Sequence, residues 1–128
     1  MNNAIDFLSR ILISLIFLTS AYNKIMDLDG SINWMESFGV PGLLIYPAIA
    51  LEIILPVLII IGYQAKVAAG LLALFCFSTA FIFHFDFSIQ SQLISFLKNI
   101  GLAGGFLFIV VNGTKDWSVD KEKKYVRL

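Results

Sequence analysis

Residues 43–62 read LLIYPAIALEIILPVLIIIG, an apolar stretch that is interrupted by a single charge, Glu52. An α-helix needs about 20 mainly apolar residues to cross the hydrocarbon core of a bilayer. Three further stretches have the same character, and the four predicted helices cover residues 7–25, 43–62, 67–85 and 93–112. Apolar and polar residues do not alternate along these stretches as they would in a membrane barrel. The sequence therefore predicts an all-α membrane protein built as a four-helix transmembrane bundle.

The composition of the chain supports this prediction. Of its 128 residues, 59% are hydrophobic and 14% are charged. A soluble domain of this length exposes much of its surface and needs more polar residues to cover it. The formal net charge is zero, which argues against a nucleic-acid partner because such proteins usually carry a basic footprint. We expect one domain over residues 1–128, with the lipid bilayer as its main partner. With one histidine and one cysteine in the chain, we expect no metal site.

The connection between the first two helices has a helical pattern of its own. Ser31 is a candidate N-cap, Gly39 a candidate stop, and Pro41 follows shortly after. Apolar and polar residues separate onto two faces, with Ile32, Met35 and Phe38 on one and Asn33 and Glu36 on the other. We therefore expect a short amphipathic surface helix here, with an irregular loop as the alternative.

Positive residues gather at one end of the predicted bundle: Arg10, Lys66, Lys115, Lys121, Lys123, Lys124 and Arg127. Loops rich in lysine and arginine usually stay in the cytoplasm. We therefore expect both termini to be cytoplasmic. The basic tail, residues 113–128, either rests against anionic headgroups with Trp117 as an interfacial anchor or is solvated and only fixes the topology.

Ionisable side chains within membrane helices are functional candidates by default. They are Arg10 and Lys24 in the first helix, Glu52 in the second, His84 in the third and Lys98 in the fourth. From the rise per residue, Glu52 lies about 13 Å and Lys98 about 8 Å below the outer surface. Since a lysine stem bridges several ångströms, the sequence favours a buried Glu52–Lys98 pair, with Arg10 as the competing partner.

Plainer interpretations exist for most of these residues. Lys24 could snorkel to the interface, Arg10 could be a positive-inside anchor, and His84 could be an interfacial histidine with its hydrogen bonds satisfied. Glu52 is the hardest to explain in this way, because a carboxylate in mid-membrane cannot snorkel to water and must be either paired or protonated; unpaired, it costs several kcal/mol. One face of the first helix is expected to turn inward, since helical spacing relates Arg10, Ser14, Phe17, Ala21 and Lys24.

An arginine opens the first helix (Arg10), a lysine closes it (Lys24), and a glutamate stands in the middle of the second (Glu52). With FLKNIGLAGG at residues 96–105 and VAAG at residues 67–70, this order resembles the DoxX family over most of the chain. The resemblance implies a four-helix protein of the bacterial inner membrane. The family takes its name from a subunit of a thiosulfate:quinone oxidoreductase. The resemblance therefore implies a redox- or quinone-associated membrane subunit, with a quinone as the implied cofactor, by analogy alone.

Three functions compete at this point. In the first, a polar pocket binds a lipophilic small molecule such as a quinone; Glu52 and Lys98 are the catalytic pair, and Arg10, Lys24, His84 and Asn99 line the pocket. In the second, the chain is a non-catalytic scaffold for a soluble redox enzyme, and Glu52 and Lys98 form only a structural ion pair. In the third, it is a small transporter of lipophilic solutes. Four helices are few for transport, so this role requires a homo-oligomer.

Overall fold

The computed structural model describes residues 1–120 and is helical throughout its membrane region. Its elements are α1 (Asn2–Met26), α2 (Leu28–Ser37), α3 (Ile45–Ile61), α4 (Ala65–Phe83) and α5 (Gln90–Asn112), with a 3₁₀ turn at Gly42–Leu44 before α3. Four of the described helices, α1, α3 with its 3₁₀ turn, α4 and α5, are long and apolar enough to cross a membrane. The predicted all-α membrane bundle is confirmed, although α1 begins five residues earlier than its predicted start.

The helices pack as two pairs. α1 lies along α3 and α4 lies along α5, and the short turn between α3 and α4 joins the pairs. The predicted inward face of α1 is confirmed, since the buried residues of this helix are Arg10, Ser14, Phe17 and Ala21. α4 buries a face rich in alanine, which lets its neighbours approach closely. Large side chains such as Leu72 and Phe106 fill the centre.

The short helix predicted between the first two spanning helices exists as α2. Its predicted N-cap, Ser31, is wrong, because the N-cap is Asp27, four residues earlier, whose side chain accepts a hydrogen bond from the Gly30 amide. The stop at Gly39 is confirmed by its left-handed φ of 80° just beyond the helix. The apolar face of α2 packs inward, where buried Met35 joins a cluster with Ile45 and Phe83.

The segment after α5 folds back onto the turn between α3 and α4. The amides of Val119 and Asp120 donate to the carbonyls of Ile61 (3.0 Å) and Gly62 (2.9 Å). The Asp120 carboxylate accepts from the backbone amides of Gln64 and Ala65, the residues at which α4 begins. These bonds satisfy amides that lack partners at a helix N-terminus.

Both ends of the described chain lie at the same end of the bundle, since the Lys115 amide donates to the Asp6 carboxylate at 3.1 Å. That this end is cytoplasmic stays a prediction from the positive residues. The predicted basic tail continues past Asp120, and four of its basic residues, Lys121, Lys123, Lys124 and Arg127, lie outside the described residues.

Candidate functional site

A buried ion pair joins α1 to α3. The Lys24 Nζ atom lies 2.8 Å from Oε1 and 3.0 Å from Oε2 of Glu52, and it also donates to the Ser20 hydroxyl at 2.7 Å. The Glu52 side chain is 3% exposed and that of Lys24 is 23% exposed. The predicted Glu52–Lys98 pair is therefore wrong, and so is the competing Arg10 partner. The three donors of the ammonium match these three oxygen atoms.

The direction of side chains on a helix explains this pairing. A Cα–Cβ bond tilts toward the N-terminus of its helix. Lys24 stands near the C-terminal end of α1, so its stem runs back along the helix to Ser20, one turn earlier. α3 runs antiparallel to α1, so the Glu52 carboxylate tilts toward the end from which Lys24 descends. This rule was available from the sequence and would have favoured Lys24 over Lys98.

Lys98 and Asn99 lie on α5, away from the ion pair. Lys98 is exposed and Asn99 is half-buried. Within residues 1–120, neither side chain forms a hydrogen bond or an ion pair with Glu52. Depth alone placed Lys98 near Glu52, but its position around the axis of α5 turns it outward. A role for Lys98 or Asn99 in the site therefore stays a prediction.

Arg10 belongs to a different cluster, at the end of the bundle where the chain begins. Its guanidinium donates to the carbonyls of Ile59 (3.0 Å), Ile60 (2.6 Å) and Trp117 (2.6 Å) and to the Asp6 carboxylate at 3.0 Å. A positive charge is favourable where the carbonyls of a helix C-terminus, here that of α3, lack partners. Arg10 thus ties α1 to α3 and to the segment after α5. Asp6 was not predicted as part of a site, although its i, i+4 spacing to Arg10 is a known pairing signal.

His84 lies at the other end of α4 and is half-buried. Its Nδ1 atom is 2.9 Å from the side-chain oxygen of Gln92, and its ring centre is 6.3 Å from that of Trp34. Gln92 thus provides a partner for one of the two ring nitrogens, and a role of His84 in the site stays a prediction. Within the described chain, no group of three histidine, cysteine or acidic side chains is arranged to hold a metal ion.

A groove of about 790 Å³ runs between α1 and α2 and reaches Lys24. Its walls come from three parts of the chain: Leu12, Leu15, Ile16, Thr19, Ser20, Asn23 and Lys24 from α1; Asp27, Gly30, Ser31, Trp34 and Met35 from α2 and its cap; and Ile45 from α3. The Leu12 end is apolar and the Asp27 end is polar. Fifteen residues of α1 separate the two ends, which corresponds to about 22 Å. The α2 wall was not predicted, because α2 was expected to lie on the membrane surface and not to pack beside α1.

The polar end of the groove is where the ion pair meets it. Lys24 lines the groove, whereas Glu52 lies behind it and is almost fully buried. Ser20 and Asn23 line the groove with the lysine on α1, and Trp34 lines it from α2. The arrangement offers one accessible cation, hydroxyl and amide groups, and an apolar trough that leads away from them. Such a site suits a molecule with a polar head and a lipophilic tail.

Comparisons with known proteins agree with this fold. A family model described as DoxX matches residues 5–85, a range that includes Arg10, Lys24 and Glu52. Inner membrane protein YqjF of Escherichia coli K12 is 34% identical over 113 residues, which cover 88% of this chain and 87% of the relative. Inner membrane protein YphA of the same organism is 30% identical over 121 residues, which cover 89% of this chain and 86% of the relative. No solved structure matches the chain significantly. Inner-membrane relatives and four membrane-length helices support a multi-pass protein of the inner membrane, and the chain belongs to the DoxX family.

Proposed function

We propose that this protein is a redox-associated membrane subunit that binds a quinone-type molecule in the groove between α1 and α2. The observation that carries the proposal is the partly exposed ammonium of Lys24 at the polar end of a long apolar groove. The groove volume of about 790 Å³ falls within the range of small-molecule sites. An alkyl or isoprenoid tail would lie along Leu12, Leu15 and Ile16.

The chemistry of the ion pair fits a carbonyl-bearing ring. A quinone would supply the electron-accepting ring, and its electrons would come from a partner redox protein. Lys24 can turn one N–H bond from a Glu52 oxygen to a ligand carbonyl and keep its contacts with the other oxygen and with Ser20. Glu52, which is shielded from water, can pass a proton to the carbonyl oxygen as the quinone is reduced, or accept one from the hydroxyl group as the quinol is oxidised. Lys24 therefore replaces Lys98 as the proposed partner of Glu52 in this chemistry.

The test uses tryptophan fluorescence in lipid nanodiscs. Trp117→Phe leaves Trp34, in the wall of the groove, as the reporter. The probe is a benzoquinone with a ten-carbon alkyl tail, and decylbenzene, which has the same tail without the carbonyls and does not quench tryptophan, is the competitor. We expect saturable quenching by the quinone that an equal concentration of decylbenzene does not reverse. Loss of a hydrogen bond from a charged donor should weaken binding at least about tenfold in Lys24→Met. Lys98→Met is the matched control, since it removes an exposed lysine that does not line the groove.

Three results decide the proposal. Reversal of the quenching by an equal concentration of decylbenzene, or no saturable quenching by the quinone, would refute it. Loss of quinone binding in Lys98→Met but not in Lys24→Met would restore the sequence-based role of Lys98. If Lys24→Met does not fold, Lys24→Met/Glu52→Gln removes the same donor without leaving a buried carboxylate unpaired.

The second candidate is the non-catalytic scaffold, with the Lys24–Glu52 pair in place of the expected Glu52–Lys98 pair. The observation that favours it is the complete set of acceptors around the Lys24 ammonium, which leaves the pair satisfied without a ligand. A scaffold would lose thermal stability in Lys24→Met and would show no saturable quinone binding in any variant.

A further inference from the structure

The tryptophan in the groove wall is far more exposed than the residue beside it on α2. Trp34 is 44% exposed, whereas Met35 is 6% exposed and packs into the bundle. Both residues line the groove, so the two side chains meet the same space. The α2 wall of the groove therefore carries a large aromatic surface that the described part of the chain leaves uncovered.

Two phenylalanine rings hold the indole of Trp34 in one orientation. Phe83, from α4, stacks on it with 4.5 Å between the ring centres and 24° between the ring planes. Phe38, at the end of α2, meets it at 5.1 Å and 62°. Within residues 1–120, Phe83 is the one ring that stacks on Trp34. Because a flat ring has two faces, the second face of the indole remains available to another ring.

Trp34 and the Lys24 ammonium lie at similar distances from the polar end of the groove. The ammonium donates to Ser20 on α1. Ser20 and Trp34 are each seven residues from Asp27, where α1 and α2 meet, so each lies about 10 Å from that junction along its own helix. A ligand ring that accepts a hydrogen bond from Lys24 on one wall would therefore meet Trp34 on the other.

We propose that Trp34 is a positioning residue that stacks on the ring of the ligand, so that the groove selects flat conjugated rings over puckered ones. This inference deepens the proposed function and rests on it, because it requires that a quinone-type molecule bind in the groove. An electron-rich indole and an electron-poor quinone ring attract each other face to face. A stacked pair adds affinity beyond the apolar area that it buries, by about three- to tenfold.

The same contact would favour the ligand over the surrounding lipid. Phospholipids compete for any groove that opens to the bilayer, and their acyl chains can occupy its apolar end. Since they have no flat ring, they gain nothing from the indole face of Trp34.

The experiment compares two tritiated probes with the same ten-carbon tail. One is a benzoquinone, whose ring is flat, and the other is the corresponding cyclohexane-1,4-dione, whose saturated ring is puckered. Both keep two carbonyl oxygens that can accept from Lys24. Saturable binding to the protein in phosphatidylcholine nanodiscs is measured by scintillation proximity, with the signal of empty nanodiscs subtracted. We expect the quinone to bind about three- to tenfold more tightly than the dione.

Three variants assign this preference to a residue. Trp34→Leu keeps an apolar side chain and removes the flat ring, so the two probes should bind with nearly equal affinity. Trp34→Phe keeps a flat ring and should retain most of the preference, although it lacks the indole N–H. Trp117→Leu is the matched control, since it makes the same change at a tryptophan that contacts Phe7 and does not line the groove. If Trp34→Leu does not fold, Trp34→Met fills more of the same space and takes its place.

Each possible failure has a separate meaning. Equal affinities of the two probes for the unchanged protein would overturn ring stacking and leave the groove as a binding site. A preference that persists in Trp34→Leu would overturn the role of Trp34. Loss of the preference in Trp34→Phe as large as in Trp34→Leu would assign it to the indole N–H and overturn stacking. Absence of saturable binding of either probe would overturn the proposed function as well.

Discussion

The Lys24–Glu52 pair predicts an asymmetry between two neutralising substitutions. Lys24→Met leaves the Glu52 carboxylate, whose side chain is 3% exposed, buried without its cation. Breaking a buried pair in this way costs about 3–5 kcal/mol. Glu52→Gln leaves an ammonium whose side chain is already 23% exposed and whose stem can carry it toward the interface. We expect this second change to cost about 1–2 kcal/mol.

Thermal unfolding in detergent measures the asymmetry. At about 3–5 °C per kcal/mol for a chain of this size, Lys24→Met should lower the Tm by about 10 °C or more and Glu52→Gln by about 5 °C. The double variant should lose much less in Tm than the two single losses added together, because it removes both charges of the pair. Equal losses, a neutral Lys24→Met or strictly additive effects would refute the assignment of Lys24 as the partner of Glu52.

Three further changes test the rest of the bundle. Arg10→Lys should lower the free energy of unfolding by about 2 kcal/mol, measured by thermal unfolding, because an ammonium cannot reproduce the spread of a guanidinium over four acceptors. Gly62→Ala should cost about 2 kcal/mol or more, since its φ is 74° and a Cβ atom would collide with Ser118. Gly101→Ala is its control: no atom lies within 4 Å of the added carbon, so the same assay should show no loss or a gain of about 0.5–1 kcal/mol. Cys76, which is 1% exposed, should react with a maleimide only as the protein unfolds; rapid labelling of the folded protein would contradict its buried position.

The spanning helices and the inward face of α1 could be predicted from the sequence, because both depend on local patterns of apolar residues. The partner of Glu52 could not be predicted in this way. Depth estimates placed Lys98 within reach of Glu52 and left Arg10 as the competing partner, but they did not include the rotation of each helix about its axis. That rotation depends on packing between helices that lie far apart in sequence. Side-chain direction along antiparallel helices would have narrowed the choice to Lys24.

The groove illustrates a different limit. Its α1 wall contains ordinary lipid-facing residues such as Leu12 and Leu15, which nothing in the sequence distinguishes from their neighbours. The opposing wall exists because α2 starts one residue after the cap at Asp27 and packs Met35 inward. To predict a groove between two helices, one needs the angle between their axes, and this angle is a property of the folded chain.

The acceptors of Arg10 come from opposite ends of the chain, and this affects how the bundle is assembled. α1 is made before α3, α4 and α5, and the Trp117 carbonyl that completes the coordination of its guanidinium is made after all of them. Until the Trp117 carbonyl is present, the N–H group that it would bind needs another acceptor, such as water or a lipid phosphate at the surface of the bilayer. The guanidinium of α1 thus lacks one of its acceptors while the other three helices enter the membrane, and the segment after α5 then ties α1 to the end of α3.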